Sequence, residues 1–162
     1  MVCVIPANAP ICLDQAPWSG AVRHTGQVNP AVTYQWRGEL QDEELFELVQ
    51  SHGGSPSLGW WPQIRDHSLG WVTARDADRL LVGFVNVAWD GGDHAFLLDT
   101  KTRGDCQRRG IGTELVRMAV DGAMAEGCEW LHVDFEPQLR GFYIEACGFR
   151  PTDAGLIHLV RT

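Results

Sequence analysis

One segment in the second half of the chain, Gln107-Arg-Arg-Gly-Ile-Gly112, most constrains what this sequence can fold into. It follows a strand-like run, 94–102, and precedes a stretch with helical periodicity, 110–126. Two glycines one residue apart let the backbone turn tightly and bring its N–H groups close to a ligand. A helix that starts there adds unpaired N–H groups and the positive end of its dipole. The segment therefore predicts a phosphate or pyrophosphate site between a strand and a helix.

Positive charge is concentrated around this segment, although the chain as a whole is acidic. The formal net charge of the 162 residues is −8 at pH 7. The basic residues near the predicted anion site are Lys101, Arg103, Arg108 and Arg109. An acidic chain is unlike a nucleic-acid-binding protein, which usually has a basic face. The overall charge weakly favours a cationic substrate, and we expect no nucleic-acid partner.

Length and composition predict one globular domain in a reducing compartment. A chain of 162 residues can bury a single core, and we assign residues 31–162 to this domain. Residues 1–30 contain four prolines and are predicted to form an irregular N-terminal arm. Five cysteines at irregular spacing predict neither a disulfide framework nor a zinc site. Without a transmembrane-length apolar run or a signal peptide, we expect a cytoplasmic protein, a monomer or homodimer, that does not bind membranes.

The predicted elements indicate an α/β domain with a mixed, mostly antiparallel sheet. In order they are strand 32–36, helix 42–53 with Asp42 as its N-cap, strands 71–75, 80–89 and 94–102, helix 110–126, strand 130–135, helix 139–146 and strand 156–161. Short Asp- and Gly-containing turns separate the three central strands, which predicts an antiparallel meander. The strand, helix and strand that come next predict a parallel crossover.

Two well-known nucleotide motifs are excluded by the residues themselves. A P-loop needs Lys-Ser or Lys-Thr after its second glycine, and the chain has neither there. A dinucleotide fingerprint needs a third glycine where Leu115 stands, and it usually opens a parallel sheet rather than following a meander. The pattern that does fit is Gln/Arg-x-x-Gly-x-Gly/Ala, at Gln107–Gly112.

With a second segment about thirty residues later, the chain resembles the GNAT acyltransferase superfamily. Phe142-Tyr-Ile-Glu-Ala-Cys-Gly-Phe149 is similar to the family's Phe-Tyr-x-x-x-Gly-Phe segment, with one extra residue. The order of elements agrees from about residue 31 to residue 161. The resemblance implies a GNAT-like mixed sheet with helices on both faces. It also implies acetyl-coenzyme A (acetyl-CoA) as cosubstrate and no metal.

The resemblance assigns the cofactor to the predicted anion site. Backbone N–H groups from Arg108 to Thr113 would hold the pyrophosphate, and the strand end at Thr100–Thr102 would bond the pantetheine arm. The implied cofactor-binding residues are Thr100, Lys101, Thr102, Gln107, Arg108, Arg109, Gly110, Ile111, Gly112 and Thr113. A backbone N–H near residue 102 would stabilise the oxyanion that forms on direct attack by the acceptor.

The resemblance also assigns an acid, whereas the base stays open. Tyr143 matches the family's tyrosine that protonates the departing thiolate. The alternative role for Tyr143 is packing as a partly buried helix residue. The candidate bases are Asp134 and Glu136, at the end of the predicted strand 130–135. Their alternative role is that of solvated charges at the strand end. Many family members have Asn where Glu136 stands, which departs from the pattern. Asp99 interrupts an apolar run, and strand alternation predicts that it shares a face with Ala95 and Lys101. An ion pair with Lys101 or another cation is its simplest role.

The remaining candidates concern the acceptor. Trp60 and Trp61, in the predicted loop 54–70, are expected with Asp99 to shape its pocket or to cap the edge of the core. His94 and His132 are predicted to be ordinary strand residues, and Cys106 and Cys147 small packing residues. The implied function is acetyl-CoA-dependent N-acetyltransfer to a primary amine of a small molecule or peptide. The alternative is a non-catalytic sensor or docking module that only binds acyl-CoA.

Overall fold

The computed structural model describes residues 31–159, so the predicted N-terminal arm 1–30 lies outside the described residues. The elements are β1 (Thr33–Trp36), α1 (Asp42–His52), α2 (Trp60–Arg65), β2 (Ser68–Arg75), β3 (Leu81–Trp89), β4 (His94–Thr102), α3 (Ile111–Ala125) and β5 (Trp130–His132). Short helical turns at Gly104–Cys106 and Pro137–Leu139 and a π-helical turn at Gly141–Ala146 connect or follow them. Among residues 31–159, no helix is long and apolar enough to span a bilayer.

The five strands form one sheet in the order β1-β2-β3-β4-β5. The first four pair antiparallel, and β5 pairs parallel with β4 after the crossover through α3. The predicted meander and the predicted parallel crossover are therefore confirmed. The parallel pairing is short, because only three residues of each strand are in register, from His94 opposite Trp130 to Phe96 opposite His132.

Helices cover both faces of the sheet, as the sequence predicts, and each face has its own apolar cluster. Helix α3 packs its buried residues against inward-facing strand residues that include Val85, Leu97 and Ala95. Helices α1 and α2 cover the opposite face around Phe84. Period-two alternation along β3 and β4 sends successive side chains to these two clusters. We call these two surfaces of the sheet the α3 face and the α1/α2 face.

Two local predictions about the helix ends and the last strand are wrong. Helix α1 is capped by Gln41, whose N–H donates to Glu44 Oε2 at 3.0 Å. Asp42 instead accepts hydrogen bonds from the backbone N–H groups of Gly59 and Trp61, and so caps α2. The predicted strand 156–161 is absent from its described part, 156–159, where no described strand pairs with it. An alternating apolar pattern forms a strand only when another strand accepts its hydrogen bonds.

The ring of Trp36 occupies a slot between the sheet and α3 that only glycine leaves open. A Cβ atom built on Gly70 of β2 would lie 2.2 Å from the ring, and one built on Gly122 of α3 would lie 2.5 Å from it. Both distances are well inside van der Waals contact. The two glycines therefore let β1 and α3 approach each other through one indole ring.

Replacing Gly122 with alanine should lower the free energy of unfolding by about 1–3 kcal/mol, because the new methyl group overpacks against Trp36. Alanine in a helix interior would otherwise stabilise by about 1 kcal/mol, so the expected sign is reversed. Urea denaturation followed by circular dichroism measures the change. The same substitution in a Trp36→Leu background should cost much less, and an equal cost in both backgrounds would contradict the slot.

Candidate active site

A cleft opens in the sheet where β4 and β5 stop pairing. Beyond Phe96 and His132 the two strands have no further register pairs. Just past this point β4 contains a bulge, because Leu98 lies opposite Asn86 while Lys101 lies opposite Phe84. Asp99, inside the bulge, has a φ of 54°, which is rare for a residue with a side chain. The bulge and the end of pairing together leave the outer edge of β4 free of a neighbouring strand.

Helix α3 begins beside this free edge, at the predicted anion segment. Gly110 caps the helix at a φ of 81°, and Arg108 also has a positive φ, of 60°. The side chains of Arg108 and Arg109 are exposed, and Arg103 pairs with Asp105 at 3.4 Å. The predicted succession of strand, polar loop and helix is confirmed. Anion binding at this helix start stays a prediction, supported by the unpaired N–H groups that any helix presents there.

Gly112, in the first turn of α3, lies where three parts of the site meet. A Cβ atom at this position would lie 3.2 Å from the Phe142 ring and 3.6 Å from Thr102 Oγ1. The first contact is tighter than ordinary packing, so a side chain at this position would have to displace the Phe142 ring by a few tenths of an ångström. The glycine predicted for close approach to a ligand therefore also sets the packing around it.

Tyr143 is buried on the α3 face, beside the cleft. Its ring stacks on Phe135 at 5.0 Å and meets the rings of Phe142 and Phe149 edge-on. Burial raises the pKa of the Tyr143 phenol, the nearby Thr100 hydroxyl lowers that pKa, and Cys147 and Asp134 raise it. The phenol is therefore held in its protonated form, the form that can donate a proton.

At the strand end predicted to bond pantetheine, the Thr100 hydroxyl lacks a full hydrogen bond among the described residues, and His52 contacts the backbone of Thr102. The buried Thr100 hydroxyl lies near Tyr143, but the geometry falls short of a full hydrogen bond among the described residues. Arg103 N–H bonds Val82 at 2.9 Å, so by alternation the backbone groups of Thr102 point away from β3. His52 Nδ1 lies 2.8 Å from the Thr102 carbonyl oxygen, fifty residues away in sequence. No local signal in the sequence points to His52.

Asp99 differs from its expected setting in one respect. The bulge breaks the alternation of β4, so Ala95 packs in the α3-face cluster whereas Lys101 lies opposite Phe84, which packs on the α1/α2 face. The prediction that these two residues share a face is therefore wrong. Burial raises the pKa of Asp99, and the charge of Lys101 lowers it in part. A substrate role for Asp99 stays a prediction.

The other acceptor-side candidates are separated by the structure. Trp61 is 2% exposed and meets Trp71 and Phe84 edge-on in the core, so burial removes it as a surface of the pocket. Trp60 is only half-buried, and its substrate role stays a prediction. Asp134 and Glu136 are exposed and lie beyond β5, which ends at His132 rather than at residue 135.

Two cysteines near the site have the properties of thiols rather than thiolates. Burial raises the pKa of Cys147 to about 12, with a smaller opposite effect from a hydrogen bond to Thr113. Burial also raises the pKa of Cys106, and Asp105 adds to that increase. A neutral thiol is a poor nucleophile, which supports the packing roles predicted for both. Within residues 31–159 no three His, Cys, Asp or Glu side chains are grouped to hold a metal ion.

His94 and His132 lie in strands, as the sequence predicts, but they also make a contact with each other that the sequence does not show. Their side chains lie next to each other across β4 and β5, with His94 Nδ1 2.7 Å from His132 Nε2. The missed contact joins residues 38 positions apart. It depends on the register of the parallel pair, which the sequence pattern does not specify.

Comparisons with known proteins agree with this arrangement. The model of the Acetyltransferase (GNAT) family matches residues 33–149. Similar solved structures include a GNAT family acetyltransferase from Streptococcus pneumoniae TIGR4, with 25% identity, TM-score 0.65 and coverage of 81% of this chain and 99% of that one. Glucosamine-6-phosphate N-acetyltransferase from Arabidopsis thaliana has 14% identity, TM-score 0.63 and coverage of 80% and 99%. An aminoglycoside N-acetyltransferase in complex with CoA has 18% identity, TM-score 0.63 and coverage of 81% and 95%. No curated protein sequence matches the chain.

Proposed function

The chain belongs to the GNAT acetyltransferase family, and on that premise we propose that it transfers an acetyl group directly from acetyl-CoA to a primary amine of a small molecule or peptide. One observation carries the proposal. The start of α3, the free edge of β4 and the protonated Tyr143 phenol meet at one cleft. They would serve as an anion site, an edge for an extended chain and a proton donor, which are the groups that a CoA thioester needs.

The residues present fit acetyl-CoA. Gly112 has no side chain to cover its backbone, which can therefore approach a ligand, and the Thr100 hydroxyl is buried without a full hydrogen bond among described residues. The aminoglycoside N-acetyltransferase of the same fold is bound to CoA, which supports this choice of cosubstrate. Backbone N–H groups from Arg108 to Thr113 would hold the pyrophosphate, with Gln107 beside it. The thioester supplies the activated acetyl group.

Tyr143 would complete the transfer by protonating the sulfur that leaves. Its phenol is protonated at neutral pH, because burial raises its pKa. A donor beside a developing thiolate typically contributes about 10²–10⁴-fold to the rate. Asp134 and Glu136 are exposed carboxylates that would attract a cationic acceptor, and their assignment as general bases stays a prediction.

The test measures binding and chemistry separately on the full-length chain. Acetyl-CoA should raise the melting temperature in a concentration-dependent way. A thiol-release assay across primary amines of small molecules and peptides should then identify acceptors, with tertiary amines as matched controls. Stabilisation by acetyl-CoA without thiol release from any amine would support the non-catalytic sensor instead. No stabilisation at all would contradict both functions.

A further inference from the structure

Two histidines form a hydrogen-bonded pair at the apex of the cleft. His94 Nδ1 lies 2.7 Å from His132 Nε2, and the two rings stack at 5.0 Å with 25° between their planes. The Phe96 ring stacks on His132 at 5.0 Å. His132 is the last residue of β5 and lies opposite Phe96, where the parallel pairing ends. One ring nitrogen of the pair must donate and the other must accept, because two N–H groups would repel each other at this distance.

The surrounding charges indicate which nitrogen carries the proton. His94 Nε2 lies 3.6 Å from Asp93 Oδ1, so the carboxylate favours a proton on that nitrogen. His94 Nδ1 is then the acceptor, and His132 Nε2–H is the donor. In this arrangement the remaining nitrogen of His132, Nδ1, has a free lone pair. Protonation of His132 there creates an imidazolium whose charge is relayed through His94 towards Asp93.

The pair lies on the side of the sheet opposite the proposed acid. Ala95 and Leu97 belong to the cluster on the α3 face, which also contains Tyr143, so Phe96 between them points to the α1/α2 face. On that face Phe96 is 40% exposed and Leu98 38% exposed, because α1 and α2 pack farther along the sheet, around Phe84. His132 is also exposed. An acceptor can therefore reach His132 from the face opposite Tyr143.

We propose that His132 is the general base of the acetyl transfer, with His94 and Asp93 as positioning residues. The proposal rests on the function proposed above. His132 Nδ1 would take a proton from the amine nitrogen as that nitrogen forms its bond to the acetyl carbon. The C–S bond breaks, its electron pair leaves with sulfur, and Tyr143 protonates the sulfur. The imidazolium then returns its proton to solvent, and the Tyr143 phenolate recovers one.

The distances and charges around the pair suit this role. The Tyr143 phenol, which would protonate the sulfur, lies near Thr100, four residues or about 13 Å along β4 from the level of His132. Bridging water between the amine nitrogen and His132 Nδ1 would carry the proton over that distance. The carboxylates beside His94 are Asp90, which accepts from the His94 backbone N–H, and Asp93. Both would attract a cationic acceptor to this face.

The proposal predicts that His132→Gln lowers kcat/KM for the amine about 100-fold. The dissociation constant of acetyl-CoA should stay unchanged. His94→Gln and Asp93→Asn should lower kcat less than His132→Gln does and leave the KM for the amine unchanged, as expected of positioning residues. His158→Gln, an exposed histidine of the C-terminal segment, is the matched control and should behave as wild type.

The possible outcomes separate this proposal from the function on which it rests. If His132→Gln changes kcat/KM for the amine by less than twofold, the assignment of His132 as the base is overturned. Loss of turnover in Asp134→Asn or Glu136→Gln would then identify the base. Acetyl-CoA binding without turnover of any amine by the wild type would instead overturn the proposed function, and the base with it. NMR of the ring nitrogens, which needs no turnover, should show a proton on Nε2 of both histidines, and the opposite tautomers would contradict the relay.

Discussion

Replacing Gly112 with leucine should raise the dissociation constant of acetyl-CoA at least about 100-fold, which corresponds to about 2.7 kcal/mol. A Cβ atom at this position already lies 3.2 Å from the Phe142 ring, and the rest of the side chain would extend into the space beside Thr102. It would cover backbone N–H groups at the start of α3 and push the π-helical turn outward. Isothermal titration with acetyl-CoA measures the loss of affinity.

A control is needed because Gly112→Leu also changes packing. Gly155→Leu introduces the same side chain at a position where a Cβ atom has nothing within 4 Å, and it should bind acetyl-CoA as wild type does. Circular dichroism should show the same secondary structure in both variants. Unchanged affinity in Gly112→Leu, with the fold intact, would remove the assignment of the α3 start as the cofactor site.

Tyr143→Phe should lower kcat about 100-fold with little change in the dissociation constant of acetyl-CoA. The substitution removes only the hydroxyl, so the stacking with Phe135 and the contacts with Phe142 and Phe149 are preserved. Thiol release at saturating amine measures the effect. Phe149→Leu is a control for packing next to Tyr143, and it should reduce stability more than turnover.

The pH dependence gives a second test of the same residue. Burial raises the pKa of Tyr143, so the wild-type enzyme should keep its proton donor into more alkaline solution than an exposed tyrosine would allow. Loss of kcat in the ordinary range of tyrosine ionisation would contradict this. Turnover of Tyr143→Phe equal to wild type would reduce Tyr143 to a packing residue.

Three neighbouring parts of the chain could be predicted because their signals are local: the predicted anion segment, the strand before it and the helix after it. The positive φ of Gly110 and the tight space at Gly112 follow from the absence of a side chain. Helical and strand periodicity similarly predicted α3 and the β2–β3–β4 meander. The role predicted for Tyr143 depends on the resemblance of residues 142–149 to the GNAT segment, because no local pattern by itself assigns a proton donor.

The predictions that failed depend on contacts between distant residues. The sequence leaves the roles of Trp60 and Trp61 open, and they are separated only by contacts of Trp61 with Trp71 and Phe84, which other elements bring to it. Asp is a common N-cap residue, so Asp42 is predicted to cap its own helix. The start of α2 lies close enough that its N–H groups donate to Asp42 instead. Residues 156–159 have strand periodicity, and within the described chain no strand lies beside them.

By itself, the sequence determined a glycine-rich helix start after a strand, from which the prediction of an anion site follows. Backbone flexibility and helix polarity are properties of neighbouring residues, so they can be read along the chain. The tertiary structure alone decided which side chains share each face of the sheet. Because of a one-residue bulge at Asp99, the side chains beyond it on β4 lie on the face opposite the one that regular alternation would give. The three-residue parallel pairing of β4 with β5 places His94 next to His132. Register is set by packing of the whole sheet, and a shift of one residue would send each side chain to the other face.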